Sequence, residues 1–278
     1  MWVADGNPVV ASSFSRRREH ARVRRILGQN LLADHAAVRE LADVAAPAEG
    51  ELILEVGAGR GRLTGELLRR RARVIAYEID AGLAAALPVA EGLSVRTEDF
   101  LTVVPPREPF SVVGNIPYAL TSAVVDWCLG ARTMRQATLL TQWEYARKRT
   151  GDYGRWSRLT VLTWPEVVWE LAGHVPRTAF RPVPRVDGGI LCLRRRPVPL
   201  VRADLLPRYR ALVECGFTGM GGSVQASLGR RYGQRQAAAA CRAVRLTPDV
   251  PVGEVWPEQW ITMFRLLSSG GGRPPGRR

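Results

Sequence analysis

The chain has 278 residues, 46% of them hydrophobic, and a formal net charge of +14 that is almost wholly arginine, since Lys148 is the only lysine. That length lies where one core gives way to two domains. No apolar run is long enough to cross a bilayer, no secretory signal is expected at the N-terminus, and the charge points to a polyanion, nucleic acid rather than a membrane surface.

Residues 1–25 read as a basic arm, with Arg16, Arg17, Arg18, Arg22, Arg24 and Arg25 as phosphate contacts or simply a solvated tail. Leu27-Gly28-Gln29-Asn30-Leu31-Leu32 follows, and Asp34 opens an amphipathic segment through Val38, Leu41 and Val44. Leu52–Val56 is a buried-strand pattern that runs into Gly57-Ala58-Gly59-Arg60-Gly61, then a helical run through Leu67 and Leu68. Strand, glycine loop and helix are the first unit of a Rossmann-like sheet, where Gly57 and Gly59 let the backbone approach a ligand.

The second strand, Val74–Tyr77, ends in Glu78, about twenty residues past the glycines, where an acid binds a ribose diol. That pairing alone leaves nicotinamide dinucleotide and S-adenosylmethionine both open. The missing third fingerprint glycine and the acid Glu55 just before the loop disfavour a pyrophosphate. Glu55 suits a cationic ligand or a polar network that holds the loop. A third strand, Leu93–Arg96, leads to Asp99, which reads either as an acceptor for an adenine amino group or as a helix N-cap.

Val112 and Val113 continue a central strand that must stop at Pro117. Pro117 biases Ile116 toward an extended conformation, which frees its carbonyl. Asn115 adds a side-chain oxygen, and Tyr118 adds a flat ring. Two acceptors and a stacking face suit an aromatic amine; the plain alternative is a strand-end turn with a buried tyrosine.

Helices are expected over Val124–Leu129 and Gln142–Arg149, with a short strand at Leu139–Thr141. Arg147, Lys148 and Arg149 end the second helix, and the loop Gly151–Trp156 interleaves aromatics with Arg155, a pattern for RNA contact by stacking and charge. Thr160–Trp164, Val167–Leu171 and Ile190–Leu193 read as strands, with Phe180 in a loop between the last two. Beyond residue 197 the pattern becomes helical: Leu205–Cys215, Val224–Tyr232, Gln236–Val244 and a last helix from Pro257 to Leu267, with Arg230, Arg231 and Arg235 exposed. Residues 270–278 form a low-complexity tail. Cys128, Cys192, Cys215 and Cys241 are scattered, as are His20, His35 and His174. Packed thiols in a reducing cytosol are expected, with no metal site.

Taken in order, six blocks resemble the Erm-type ribosomal RNA adenine N6-methyltransferases, a group that also holds the housekeeping small-subunit dimethyladenosine transferases. They are Gly28–Leu32, Glu55–Gly61, Tyr77–Asp80, Glu98–Phe100, Gly114–Tyr118 and Phe180–Asp187. Ala119 departs from the Asn or Gly often found there. The resemblance implies an α/β fold: a Rossmann-like S-adenosylmethionine-dependent methyltransferase domain over residues 26–197 and a small α-helical RNA-binding domain over 198–269. It implies that Asn30, Leu32, Gly57, Gly59, Glu78, Ile79, Asp99 and Asn115 hold the cofactor. Glu78 would take the ribose, Asp99 the adenine amino group, and Ile79 the adenine ring. Asn115 and Ile116 would bind the target amine, with Tyr118 and Phe180 stacked about its base.

The implied reaction is methyl transfer to N6 of an adenine in the peptidyl-transferase loop of 23S rRNA. It would be carried out in the cytoplasm by a monomer and confer macrolide, lincosamide and streptogramin B resistance. Arg16, Arg17, Arg18, Arg24, Arg25, Arg147, Lys148, Arg149, Arg155, Arg230 and Arg231 are the expected RNA contacts. Rival readings are the housekeeping 16S rRNA dimethyltransferase, a non-catalytic nucleic-acid-binding relative and a nicotinamide-dependent oxidoreductase.

Overall fold

The computed structural model describes residues 30–269. The arm expected over residues 1–25, His20, the segment 27–29 and the tail 270–278 lie outside the described residues. Contacts divide the chain into two units: residues up to Trp143 with Ala172–Leu191, and Glu144–Leu171 with the residues from Cys192 onward. The first unit is the α/β part that the sequence leads one to expect. The second groups Glu144–Leu171 with the C-terminal helices, whereas sequence patterning alone places the division at residue 197.

A seven-stranded sheet has the order β4-β3-β2-β5-β6-β9-β7. Its strands are β2 (Leu52–Val56), β3 (Arg73–Tyr77), β4 (Leu93–Arg96), β5 (Phe110–Asn115), β6 (Met134–Gln142), β7 (Val167–Val175) and β9 (Gly188–Arg195). β2 and β5 are buried along their length except at Asn115, as parallel strands covered on both faces require. From β2 the chain steps outward through β3 to β4, then returns to β5 on the other side of β2 and continues to β6, all by parallel pairs. The order therefore reverses between β2 and β5, and ligands bind beyond the carboxyl ends of strands at such a switch point. Val56 pairs with Gly114, so the glycine loop and Asn115 leave the sheet side by side.

Helices α1 (His35–Ala45), α2 (Arg62–Arg69), α3 (Ala81–Ala85) and α4 (Thr121–Gly130) complete the first unit. Asp34 and Asp80 start α1 and α3 by accepting hydrogen bonds from backbone N–H groups of the first turn. Outside the main sheet, β1 (Leu31–Leu32) pairs antiparallel with β8 (Phe180–Arg181).

The second unit holds α5 (Trp143–Thr150) beyond its first residue, α6 (Arg158–Thr163), α7 (Leu206–Gly216), α8 (Val224–Tyr232), α9 (Gln234–Ala243) and α10 (Pro257–Ser269). The strand expected at Thr160–Trp164 is instead helix α6. Ser157 caps it through the Thr160 N–H at 3.2 Å, and the Tyr209 hydroxyl donates to the Val161 carbonyl at 2.8 Å. A cap and a tertiary partner outweigh the β-preference of Thr160, Val161 and Thr163. The strand expected at Leu139–Thr141 is the end of the longer β6.

Gly114 shows how closely β2 and β5 approach. A Cβ there would lie 2.6 Å from the Val56 carbonyl oxygen and 3.0 Å from the Val56 Cβ. Gly114→Ala is expected to lower stability by about 1–3 kcal/mol, the usual cost of overpacking, measured by urea denaturation; an unchanged midpoint would show that the strands part without penalty.

Candidate active site

The glycine loop is built to hold its shape before any ligand arrives. Gly57, Gly59 and Gly61 all have positive φ, a region that side chains resist. The Glu78 carboxylate, at the end of β3, accepts from the Gly59 N–H at 2.8 Å and from the Asp80 N–H at 2.9 Å. Glu78 is only 2% exposed, so these bonds offset the cost of burying its charge. A carboxylate has about four acceptor positions, which leaves capacity for a ligand hydroxyl.

Glu55, at the penultimate position of β2, is a different acid. It is buried and accepts from the Thr64 hydroxyl at 2.6 Å, which ties β2 to α2. Burial pushes its carboxyl up to about 7, the Thr64 hydrogen bond opposes this, and the Glu78 charge adds to it. Glu55 also lines the larger of two clefts, beside its bond to Thr64.

That cleft, of about 170 Å3, lies among Leu32, Glu55, Gly57, Gly59, Arg60, Arg62 and Asn115. A recess of about 30 Å3 adjoins it among Asn30, Gly57, Glu78, Asn115, Ile116 and Tyr118. Leu31, Gly57 and Asn115 border both. Most of the residues expected to hold a cofactor or a target amine are therefore brought together. Arg60, Arg62 and Arg181 are not among the residues the sequence points to; Arg60 stands in the glycine loop and Arg62 opens α2, where alternation with glycine is the available signal.

Asn115 joins the two spaces. Its Nδ2 donates to the Asn30 backbone carbonyl at 2.7 Å, which assigns the amide orientation and turns Oδ1 away from that bond. The Ile116 N–H donates to the Leu140 carbonyl at 3.0 Å, and among the described residues no backbone donor takes the Ile116 carbonyl. The Tyr118 hydroxyl is buried without a hydrogen-bond partner among the described residues. Burial and the Asp187 carboxylate raise its pKa, which keeps the phenol neutral. Buried polar atoms are rarely left unpaired, and those that are mark ligand or water sites.

Three expected site residues line neither cleft. Phe180 does not face the recess: it is fully buried, pairs in register with Leu32, and packs where Gly188 makes room, since a Cβ on Gly188 would be 3.0 Å from its Cζ. The core claims the ring because an aromatic on β8 has the glycine of β9 beneath it. Ile79 borders neither cleft and is 48% exposed. Asp99 borders neither cleft and caps a short 3-10 turn by accepting from the Leu101 N–H at 3.0 Å.

His174, unremarkable in sequence, meets Asp187 at 2.9 Å through Nε2. Asp187 also accepts from the Arg177 N–H at 2.9 Å, and its carbonyl accepts from the Trp143 N–H at 2.9 Å. The Arg177 N–H and His174 hold its carboxyl below the usual range.

The second unit displays the expected RNA contacts that lie within the described residues; Arg16, Arg17, Arg18, Arg24 and Arg25 lie outside them. Lys148, Arg155, Arg230 and Arg231 are exposed. Arg147 is engaged: it bridges Asp152, and its guanidinium stacks on the Tyr153 ring. Arg149 lies over the Tyr145 ring and bonds to the Ser157 hydroxyl at 3.1 Å. Both are braces within the unit more than free cations. Among the described residues, no group of three or more His, Cys, Asp or Glu side chains is placed to hold a metal ion. No described helix is long and apolar enough to cross a membrane.

A mixed sheet with a glycine loop after β2, an acid closing β3 and an Asn-Ile-Pro-Tyr turn after β5 defines a Rossmann-like methyltransferase. More particularly, residues 20–269 match the model of the ribosomal RNA adenine dimethylase family, and the chain belongs to that family. It is 51% identical over 262 residues to an rRNA adenine N-6-methyltransferase of Streptomyces fradiae, covering 92% of this chain and 82% of that protein. It is 35% identical over 250 residues to the mycinamicin-resistance protein MyrB of Micromonospora griseorubida, covering 89% and 80%. The crystal structure of the 23S rRNA methyltransferase ErmE is similar with a TM-score of 0.83 and 48% identity, covering 86% of this chain and all of that one.

The raised Glu55 pKa has a sign that denaturation tests. The native state holds the proton to about 7, whereas the unfolded chain releases it near 4.5. Stability linked to this proton is thus present below pH 4.5 and lost as pH rises through 7, on the order of a few kcal/mol. Glu55→Gln keeps an acceptor for Thr64 and is expected to flatten that decline in urea titrations from pH 4.5 to 8; parallel curves for both proteins would place the buried charge elsewhere.

Proposed function

We propose that this rRNA adenine methyltransferase takes its methyl group from S-adenosylmethionine and modifies N6 of an adenine in the peptidyl-transferase loop of 23S rRNA. Resistance to macrolide, lincosamide and streptogramin B antibiotics follows from that target. The observation that carries the reading is the orientation of Asn115. With Nδ2 committed to Asn30, the side chain offers an acceptor oxygen beside the Ile116 carbonyl, at the edge of a recess that Tyr118 lines. The likeness to ErmE and to a mycinamicin-resistance protein supports the 23S target over the small-subunit one.

The donor set fits this cofactor. Glu55 and Glu78 provide negative charge for a cationic, hydroxyl-bearing ligand, and Arg60 on the glycine loop suits its carboxylate. Leu32, Gly57, Gly59 and Asn30 shape the wall, and the exposed Ile79 offers an apolar surface next to Glu78 for an adenine. Asp99, with acceptor capacity beyond its capping bond, is assigned to the adenine amino group. S-adenosylmethionine, when bound, supplies an electrophilic methyl on a positively charged sulfur.

The protein's task is to make a poor nucleophile attack. The lone pair of an adenine N6 is delocalised into the ring. The Asn115 oxygen and the Ile116 carbonyl each accept one of its N–H groups, which favours a tetrahedral nitrogen and localises the lone pair for attack; the extra proton is lost to water after the methyl has moved. Positive charge then develops on nitrogen against fixed dipoles that need no reorganisation. Tyr118 stacks on the extruded base, and such stacking, on the order of 1–3 kcal/mol per base, offsets the few kcal/mol of unstacking. Arginine and Lys148 contacts to phosphate supply affinity, and the helices of residues 198–269 are assigned to that role.

Asn115→Ala is expected to lower kcat by about 100-fold or more, the scale for losing one preorganised partner, while cofactor affinity changes far less; equal losses in both would reduce Asn115 to a cofactor ligand. Methylation of protein-free 23S and 16S rRNA in parallel, mapped by mass spectrometry, is expected to mark only the 23S peptidyl-transferase loop. Label confined to 16S rRNA would make this the small-subunit enzyme.

A further inference from the structure

We infer that Tyr153 is a stacking platform for an unpaired nucleobase of the RNA substrate, with Arg147 as its brace; this rests on the rRNA reading above. The platform lies in the second unit, where α5 ends in the turn Gly151–Gly154.

Four features build it. Gly151 has a φ of +74°, and a Cβ there would lie 2.5 Å from the Trp156 indole, so the turn's backbone rests directly on that ring. Trp156 is itself buried and packs edge-on against Trp164 with centroids 5.5 Å apart, which makes it a fixed support. The turn closes through the Gly154 N–H on the Gly151 carbonyl at 2.9 Å, and the Asp152 N–H returns to the Arg147 carbonyl at 3.2 Å. Tyr153 stands at its tip, 44% exposed, with the Arg147 guanidinium 4.0 Å from its ring centroid and Asp152 gripping that guanidinium from the side.

An exposed ring with one face held by a cation is pre-set to stack. Its rotamer is fixed before binding, so little freedom is lost when a base arrives. The flanking charges select the occupant. Lys148 is exposed, and the Arg155 side chain is 75% exposed with Glu254 at 4.0 Å. A planar surface between exposed cations, in a chain of net charge +14, matches a base between phosphates. Of the run Arg147-Lys148-Arg149, the structure thus leaves Lys148 for phosphate and turns both arginines inward onto tyrosines.

Stacking and charge separate by salt. Binding of the full chain to transcribed 23S rRNA would be measured across a salt series for the wild type, Tyr153→Ala, Tyr153→Leu, Tyr153→Trp, Lys148→Ala and Arg155→Ala. Tyr153→Ala and Tyr153→Leu are expected to weaken binding by about 10-fold without changing the slope of log affinity against log salt, with melting temperature and cofactor affinity unchanged. Tyr153→Trp restores binding. Lys148→Ala and Arg155→Ala each lower the slope by about one. Wild-type affinity in Tyr153→Ala, full binding by the non-planar leucine, or no rescue by tryptophan would overturn the platform while wild-type methylation of 23S rRNA left the function intact. A wild-type protein that neither binds nor methylates rRNA would overturn both.

Discussion

The site depends on one hydrogen bond, from the Asn115 Nδ2 to the Asn30 carbonyl at 2.7 Å. It joins the end of the central strand β5 to the residue just before the short strand β1, 85 positions away in the chain. As a neutral bond it contributes only about 1 kcal/mol to stability. Its value is orientation. An amide whose nitrogen is committed has a defined oxygen, and a defined oxygen is what a reluctant amine needs. β1 is held in turn by β8 and by the Arg62 guanidinium on the Ala33 carbonyl, so the orientation of one amide draws on the glycine-loop helix and on the strand pair outside the main sheet.

The two buried acids beside that amide show how environment divides labour between identical side chains. Glu78 is tied to two backbone N–H groups and fixes the glycine loop against the end of β3. Glu55 has one hydroxyl partner and the charge of Glu78 nearby, so burial dominates and its proton is held to about 7. A cationic ligand in the adjoining cleft would favour the ionised form. Binding of such a ligand there would be linked to the protonation of Glu55.

The second unit handles its arginines differently from a simple basic patch. Arg147, Arg149, Arg196 and Arg231 each lie over an aromatic ring. Such pairs hold planar side chains in place at little entropic cost once formed, because a guanidinium is itself planar. Counting positive charge therefore overstates the number of phosphate ligands. Part of the arginine excess serves to position rings.

Residues whose role is set by their immediate neighbours in the chain were legible without coordinates. Leu52–Val56 had to be a buried strand, the positive-φ glycines had to follow it, Glu78 had to end β3, and Pro117 had to stop β5. These are matters of backbone sterics, hydrogen-bond supply and local apolar pattern. What arrives from elsewhere in the fold was not legible. Gly188 draws Phe180 into the core, Ser157 and Tyr209 make a helix of residues with strand preference, and Asp187 captures His174. Asp152 and Tyr153 turn Arg147 inward, and Asn30 decides which way the Asn115 amide points. A sequence states what each side chain is able to bond; only the packed chain determines which partner comes within 3 Å, because that distance is set by all the other contacts at once.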